Sequence, residues 1–300
     1  MLKKIFTIFI ITLCPIIAQN NIDSLHSSNK NIQEALNYYN NGDFNTAKIL
    51  LANIIDGNEK NSEVHYYLAH TQFQLKNLDD AIEECERAVE LDNNNADYHA
   101  TLGQLYGEDA ADASIFRLPS LASKLKKEAE TALKLNSNHI DARMLLANFY
   151  FQAPGIVGGS YDKAIEQATI ATKLDEWQGR LLLIRIYNKL GKYDEAESEC
   201  KLLEGKECSN TELQLVYYNE YGSILLNKNL FDEAIKKYKM AVSLAPEKSW
   251  THNILGNAYL QKGQYSEAIT EFKNALSINP KSEYAKEKME DANEKMAKKK

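Results

Sequence analysis

The segment WTHNILGNAYLQKGQYSEAITEFKNALSINPKS, from Trp250 to Ser282, recurs in outline 34 residues upstream, where Ala234, Ala241 and Pro246 stand in the places of Ala268, Ala275 and Pro280. Each copy carries apolar residues three and four apart on either side of a break, here Gly263-Gln264-Tyr265, which is the pattern of two short helices joined by a turn. One such pair cannot bury its apolar face alone and has to stack on its neighbours. The expected fold is therefore all-α: an α-solenoid of roughly seven antiparallel helix pairs, ended by a C-terminal capping helix. Only 13 Gly and 5 Pro among 300 residues agree with a mainly helical chain.

Sliding the pattern along the chain places the pairs at 28–61, 62–95, 96–139, 140–176, 177–214, 215–248 and 249–280. Acidic residues recur where second helices begin (Asp79-Asp80, Asp194-Glu195, Asp232-Glu233, Glu267), as expected opposite the positive end of a helix dipole. Their recurrence at one slot speaks for structure over catalysis. The third pair is longer by about ten residues within GEDAADASIFRLPSLASK, so both of its helices should be extended. Ile115, Phe116, Leu118 and Leu121 would then form an apolar tip, which either packs on a neighbouring repeat or serves as a docking knob. The fourth pair replaces the plain turn with QAPGIVGGSYDKA, in which Pro154 stops a helix and Gly155, Gly158 and Gly159 permit left-handed backbone. That loop reads as a structural turn or as an anion nest or partner loop. It lacks the Gly-Lys-Ser/Thr of a phosphate loop and follows no strand, so neither nucleotide motif applies. The fifth pair is the least regular: Leu203 stands where the other pairs prefer Ala, and 205–211 (GKECSNT) interrupts the spacing, the natural place for a hinge. Residues 281–300 read as a capping helix on Ala285, Met289, Ala292 and Met296, with a basic end, Lys298-Lys299-Lys300, that reads as a frayed, solvated terminus or as a contact for anionic lipid headgroups.

The N-terminus has a different character. Lys3-Lys4, the apolar run from Ile5 to Leu13 and the small residue Ala18 follow the order of a secretory signal, so residues 1–18 are expected to be cleaved after Ala18. The run is too short to span a bilayer. Residues 19–27 read as a flexible arm. Loss of Lys3 and Lys4 takes the formal net charge from −7 to −9, and no basic stripe with interleaved aromatics appears, which argues against a nucleic-acid partner.

No motif carries enzymatic chemistry, a cofactor or a metal. There is no HExxH or CxxC spacing, and His65, His99 and His252 occupy one packing slot in three different repeats, a repeat apart. Cys85 and Cys200 fall on inward helix faces, and a Cys200–Cys208 bridge would require the chain to fold back after Gly205.

The last pair resembles the tetratricopeptide repeat (TPR), whose pattern W-x2-L-G-x2-Y, A-x3-F, A, P is met by Leu255, Gly256, Tyr259, Ala268, Phe272, Ala275 and Pro280, with His252 at the Trp position. The sixth pair matches at Tyr218, Gly222, Ala234, Tyr238, Ala241 and Pro246, with Leu225 at the Tyr position; the other pairs match more loosely over 28–280. The long third hairpin together with the glycine turn is similar to a group of exported bacterial TPR proteins. The resemblance implies a right-handed superhelix whose first helices face a concave groove. Tyr39, Tyr66, His70, Phe73, Asn148, Phe151, Arg185, Asn188, Asn219, Asn253 and Asn257 would point into it. Rings and amides suit a peptide or partner helix. Arg185 and Lys189 do not supply the Lys/Asn/Arg set with which chaperone-binding TPR domains clamp a terminal carboxylate. Two functions follow as expectations: a non-enzymatic interaction scaffold or adaptor of the cell envelope, or a small-molecule or glycan module using Pro154–Ser160 and the groove aromatics.

Overall fold

The computed structural model describes residues 29–57 and 60–298. The expected signal (1–18), the arm (19–27) and the final two lysines lie outside the described residues. All regular structure described is helical. It falls into two compact units that divide between Asp175 and Glu176.

The first unit holds four pairs: α1 (Lys30–Asn40) with α2 (Phe44–Gly57), α3 (Ser62–Gln74) with α4 (Leu78–Leu91), α5 (Ala96–Asp112) with α6 (Leu118–Leu135), and α7 (Ile140–Gln152) with α8 (Tyr161–Ala171), the last pair joined through a 3-10 turn (Gly155–Val157). The second holds three pairs and a final helix: α9 (Glu176–Lys189) with α10 (Tyr193–Leu203), α11 (Thr211–Asn227) with α12 (Phe231–Leu244), α13 (Ser249–Lys262) with α14 (Tyr265–Ile278), then α15 (Glu283–Lys298). The first member of each pair is called the A helix below and the second the B helix.

Local chemistry sets the helix ends. Asn29, Asn61, Asn95 and Asn210 cap A helices by accepting from a backbone N–H two or three residues on. The turn inside the five plain pairs passes through one left-handed residue: Gly42, Gly191 and Gly263, but Lys76 and Asn229 in the second and sixth pairs.

Small residues let the two helices of a pair close on each other. Ala47, Ala81, Ala164, Ala196, Ala234 and Ala268 are wholly buried at one slot of the B helices. Opposite them, a methyl group on Gly256 would lie 2.8 Å from the Phe272 ring, and one on Gly222 would lie 2.4 Å from the Tyr238 ring. The helices approach because those side chains are missing. In the second unit, lysines also bridge successive pairs: Lys228 to Asp194 at 2.6 Å, Lys262 to Asp232 at 2.5 Å and Lys248 to Glu212 at 2.6 Å. Helix α15 buries Ala285 and Ala292 and leaves most of its other residues in water, as a terminal cap must.

The apolar tip of the third pair divides: Leu118 and Leu121 are buried, since α6 begins at Leu118 with Pro119 in its first turn, and only Ile115 and Phe116 stay exposed as a docking knob would require. One expectation is corrected. The segment 205–211 is not a hinge between units. The Trp177 indole N–H donates to the Glu207 carbonyl at 2.9 Å and the Gln214 amide to the Cys208 carbonyl at 2.5 Å, which fastens the segment within the second unit.

Candidate partner-binding surfaces

The A helices carry two sets of candidate groove residues, one in each unit. In the first unit, Tyr66 of α3 lies with its ring 4.6 Å from His70 and 4.8 Å from Tyr98 of α5. The imidazole of His70 is enclosed, and burial pulls its pKa down to about 4 against the opposing pull of Asp97, so the ring is neutral at pH 7. Its Nε2 is buried and makes no hydrogen bond. Asp97 is held below the usual carboxylate range by His139, whose Nε2 is 3.0 Å away. Phe73 and Phe151 are half-buried, Phe73 beneath Lys76 and Phe151 beside Tyr161.

Two members of this set are less accessible than expected. Tyr39 is buried, with its ring edge-on to Phe44 and its hydroxyl accepting from Gln74. Asn148 is buried because α7 is enclosed on nearly every side. Its amide donates to the Met144 carbonyl at 2.9 Å, and its Oδ1 makes no hydrogen bond. Gln152, one turn further on, is likewise buried with both polar atoms unbonded. Sequence reasoning passed over it.

In the second unit, Glu220 of α11 gathers two of the candidates from α9. Its carboxylate accepts from Asn188 at 2.9 Å and lies 3.9 Å from Arg185. Asn219, Asn253 and Asn257 are half-buried, and Asn253 Oδ1 is unbonded.

The loop candidates part company. Phe116 stands 91% exposed with Ile115 beside it at 43%. Ile156, from the glycine turn, is 94% exposed. The glycines themselves have structural reasons. Gly158 is left-handed at φ +99°, and a methyl group on Gly159 would fall 1.7 Å from the Ala153 carbonyl oxygen. The amides that an anion nest would need are spent within the fold: Val157 and Gly159 donate to Pro154 O, Gly158 to Gly155 O and Ser160 to Tyr150 O. Gly155 has open space around it.

The histidine slot has a partner in each case. His65, His99 and His252 set Nδ1 at 2.6, 2.6 and 2.7 Å from Glu84, Glu128 and Glu271 on the B helix of the same pair. In the fifth pair Arg180 reaches Glu199 at 2.6 Å from the same slot. Among the described residues no group of His, Cys, Asp and Glu is arranged to hold a metal, and Cys85, Cys200 and Cys208 form no disulfide with one another.

Family models described as tetratricopeptide repeat match residues 38–105 and 215–248, and one described as TPR repeat matches 256–289. No curated protein matches. Among solved structures, the chain is similar to a tetratricopeptide repeat protein from Parabacteroides merdae, with 18% identity over 87% of this chain and 97% of that one and a TM-score of 0.62. It is also similar to a chain of the APC/C hetero-tetramer Cut9–Hcn1, at 15% identity, 95% and 52% coverage and a TM-score of 0.65. A third is TTC0263, a thermophilic TPR protein in Thermus thermophilus, at 19% identity, 63% and 96% coverage and a TM-score of 0.53. At these identities the likeness is one of fold.

Proposed function

Because the chain is a tetratricopeptide repeat protein, we propose that it is a non-enzymatic interaction scaffold or adaptor of the cell envelope, and that the A-helix face of its first unit receives a peptide or helix of a protein partner. The observation that carries this reading is the surface around Tyr66, His70 and Phe73. Two half-buried rings flank a neutral imidazole whose Nε2 makes no hydrogen bond. Rings supply contact area at small entropic cost, and the half-buried rings of Tyr66 and Phe73 leave part of that area open to a peptide. The small-molecule or glycan reading lacks comparable support, since the amides of the Pro154–Ser160 turn are already used.

The test is site-specific photo-crosslinking in cells that make the protein. A crosslinker in place of Phe73 should capture a defined protein, and one in place of Ile49, exposed on α2, should not. Equal capture from both positions would sink the groove reading. The envelope assignment is tested separately by fractionation and N-terminal sequencing. A mature chain beginning at Gln19 outside the cytoplasm is expected, and a cytoplasmic chain that retains Lys3 and Lys4 would refute export.

A further inference from the structure

Two turns of the first unit carry side chains that the fold does not use. Phe116, between α5 and α6, is 91% exposed, and Ile156, in the 3-10 turn between α7 and α8, is 94% exposed. No other large apolar side chain among the described residues exceeds 61%. Helix α7 runs back along α6, with the Tyr150 ring of its last turn 6.0 Å from Lys126 Nζ, and the 3-10 turn that follows packs on α6. Both turns therefore lie at one end of the third and fourth pairs.

The backbone holds each side chain out. At the first turn the N–H groups of Arg117 and Leu118 both donate to the Ser114 carbonyl, at 2.9 and 3.2 Å, and the buried Leu118 and Leu121 fix its base. At the second, the amides of Val157, Gly158, Gly159 and Ser160 are all bonded within the fold. Two separate convex turns need no matching pockets in a fluid acyl layer.

The charge around them departs from that of the chain. Acids outnumber bases 42 to 35 overall, yet 113–127 holds Arg117, Lys124, Lys126 and Lys127 and no acid, and 153–161 holds no charged residue. Every other B helix has an acid in its first turn or, in α2, at Asp43 just before it. Helix α6 has none, and Arg117 stands at its N-cap, where a cation opposes the helix dipole. Helix formation does not call for that exchange. The three lysines keep loose, exposed ion pairs at 3.4 to 3.7 Å, and such pairs hold a long side chain weakly. Of the bordering acids, Asp109 is taken up by Arg117 at 2.7 Å and Glu128 by His99 at 2.6 Å, while Asp112 and Asp162 remain exposed.

We propose that this end of the first unit is a membrane contact. Phe116, Ile115 and Ile156 enter the boundary between headgroups and acyl chains of an anionic bilayer, and Arg117 and the α6 lysines lie against its headgroups. The turn at Ile156 suits that layer because its amides do not depend on water. Tyr161, half-exposed at the start of α8, is the kind of ring that sits at headgroup level. The contact is shallow and reversible, and it does not rest on the peptide reading of the A-helix face.

The test is flotation with vesicles of phosphatidylcholine containing about 30% phosphatidylglycerol. The full-length chain is compared with one beginning at Gln19, because the apolar run Ile5 to Leu13 would itself enter lipid; every described helix begins at Lys30 or later. The chain from Gln19 should float. Phe116→Ser with Ile156→Ser should lower its partitioning at least about tenfold without changing its melt, and Ile49→Ser, on the flank of α2, should not lower it. Vesicles of phosphatidylcholine alone should bind at least about threefold more weakly. Lipids brominated in their acyl chains should quench Phe116→Trp beyond the parent, and Ile49→Trp no more than the parent. No flotation of the chain from Gln19, equal flotation of the double variant, or equal binding to neutral vesicles would each overturn the proposal. Absence of flotation together with self-association that the double variant abolishes would instead assign the two turns to a second copy of the chain.

Discussion

His99 Nδ1 lies 2.6 Å from a carboxylate oxygen of Glu128, with both side chains buried, while its Nε2 faces the Asn93 carbonyl oxygen at 3.1 Å. The A and B helices of the third pair are thus joined by a polar clasp where the repeat pattern more often has an aromatic ring. Removing one partner leaves the other buried without its bond. Glu128→Leu is expected to cost about 1–3 kcal/mol in urea unfolding, and Glu128→Gln, which keeps an acceptor, less. Glu84→Leu should cost less than Glu128→Leu, because Glu84 is 25% exposed and water can replace it. A double-mutant cycle over His99 and Glu128 with no measurable coupling would show the clasp to be energetically idle.

Lys76 sits at φ 65°, in the turn slot that Gly42, Gly191 and Gly263 fill elsewhere. A lysine there bears the steric cost of left-handed backbone, roughly 1–2 kcal/mol. Lys76→Gly should raise stability by about 0.5–1 kcal/mol, the gain being reduced by the larger entropy of the unfolded glycine chain. An unchanged or lower denaturation midpoint would contradict the strain.

Two of the three glycines of the fourth turn, Gly155 and Gly159, should behave oppositely. Gly159→Ala drives a methyl group into the Ala153 carbonyl and cannot be accommodated without moving backbone, so a loss of at least about 2 kcal/mol is expected. Gly155→Ala meets open space and should stay within about 0.5 kcal/mol of the parent. Thermal melts of the two variants that coincide would refute the turn geometry.

Ala268 is wholly buried where α14 closes on its pair. Ala268→Arg forces a long charged side chain into that contact and is expected to cost several kcal/mol. A melt equal to that of the parent would mean that the repeat register is wrong.

The period, the small residues at Ala234, Ala268 and Gly256, and the capping helix were legible because each is a local consequence of one helix pair stacking on the next. What was not legible depended on distances in space. The carboxylate partners of the histidines lie 19 residues away for His65 and His252 but 29 for His99, because the third hairpin is longer. No fixed spacing therefore announces them. The inward turn of Leu118 followed from where α6 begins. A shift of a few residues in a helix boundary leaves the periodicity intact and changes which side chains meet solvent. The groove residues were placed by slot alone, which could not show that α7 is enclosed and that Asn148 is buried with it.

His70 links the candidate surface to pH. Its folded pKa is about 4, lowered by burial, against about 6.5 for an exposed histidine. Between those values the unfolded chain binds the proton and the folded chain does not, so acid favours unfolding: this contribution to stability is intact above about pH 6.5 and is lost as pH falls toward 4. The expected loss from this residue between pH 7 and pH 5 is roughly 2 kcal/mol. His70→Gln, which does not titrate, should unfold in urea with a shallower dependence on pH over that range, and above pH 7 the two profiles should run parallel. Parallel pH profiles for the two over the acid range as well would mean that burial does not lower the His70 pKa in the folded chain.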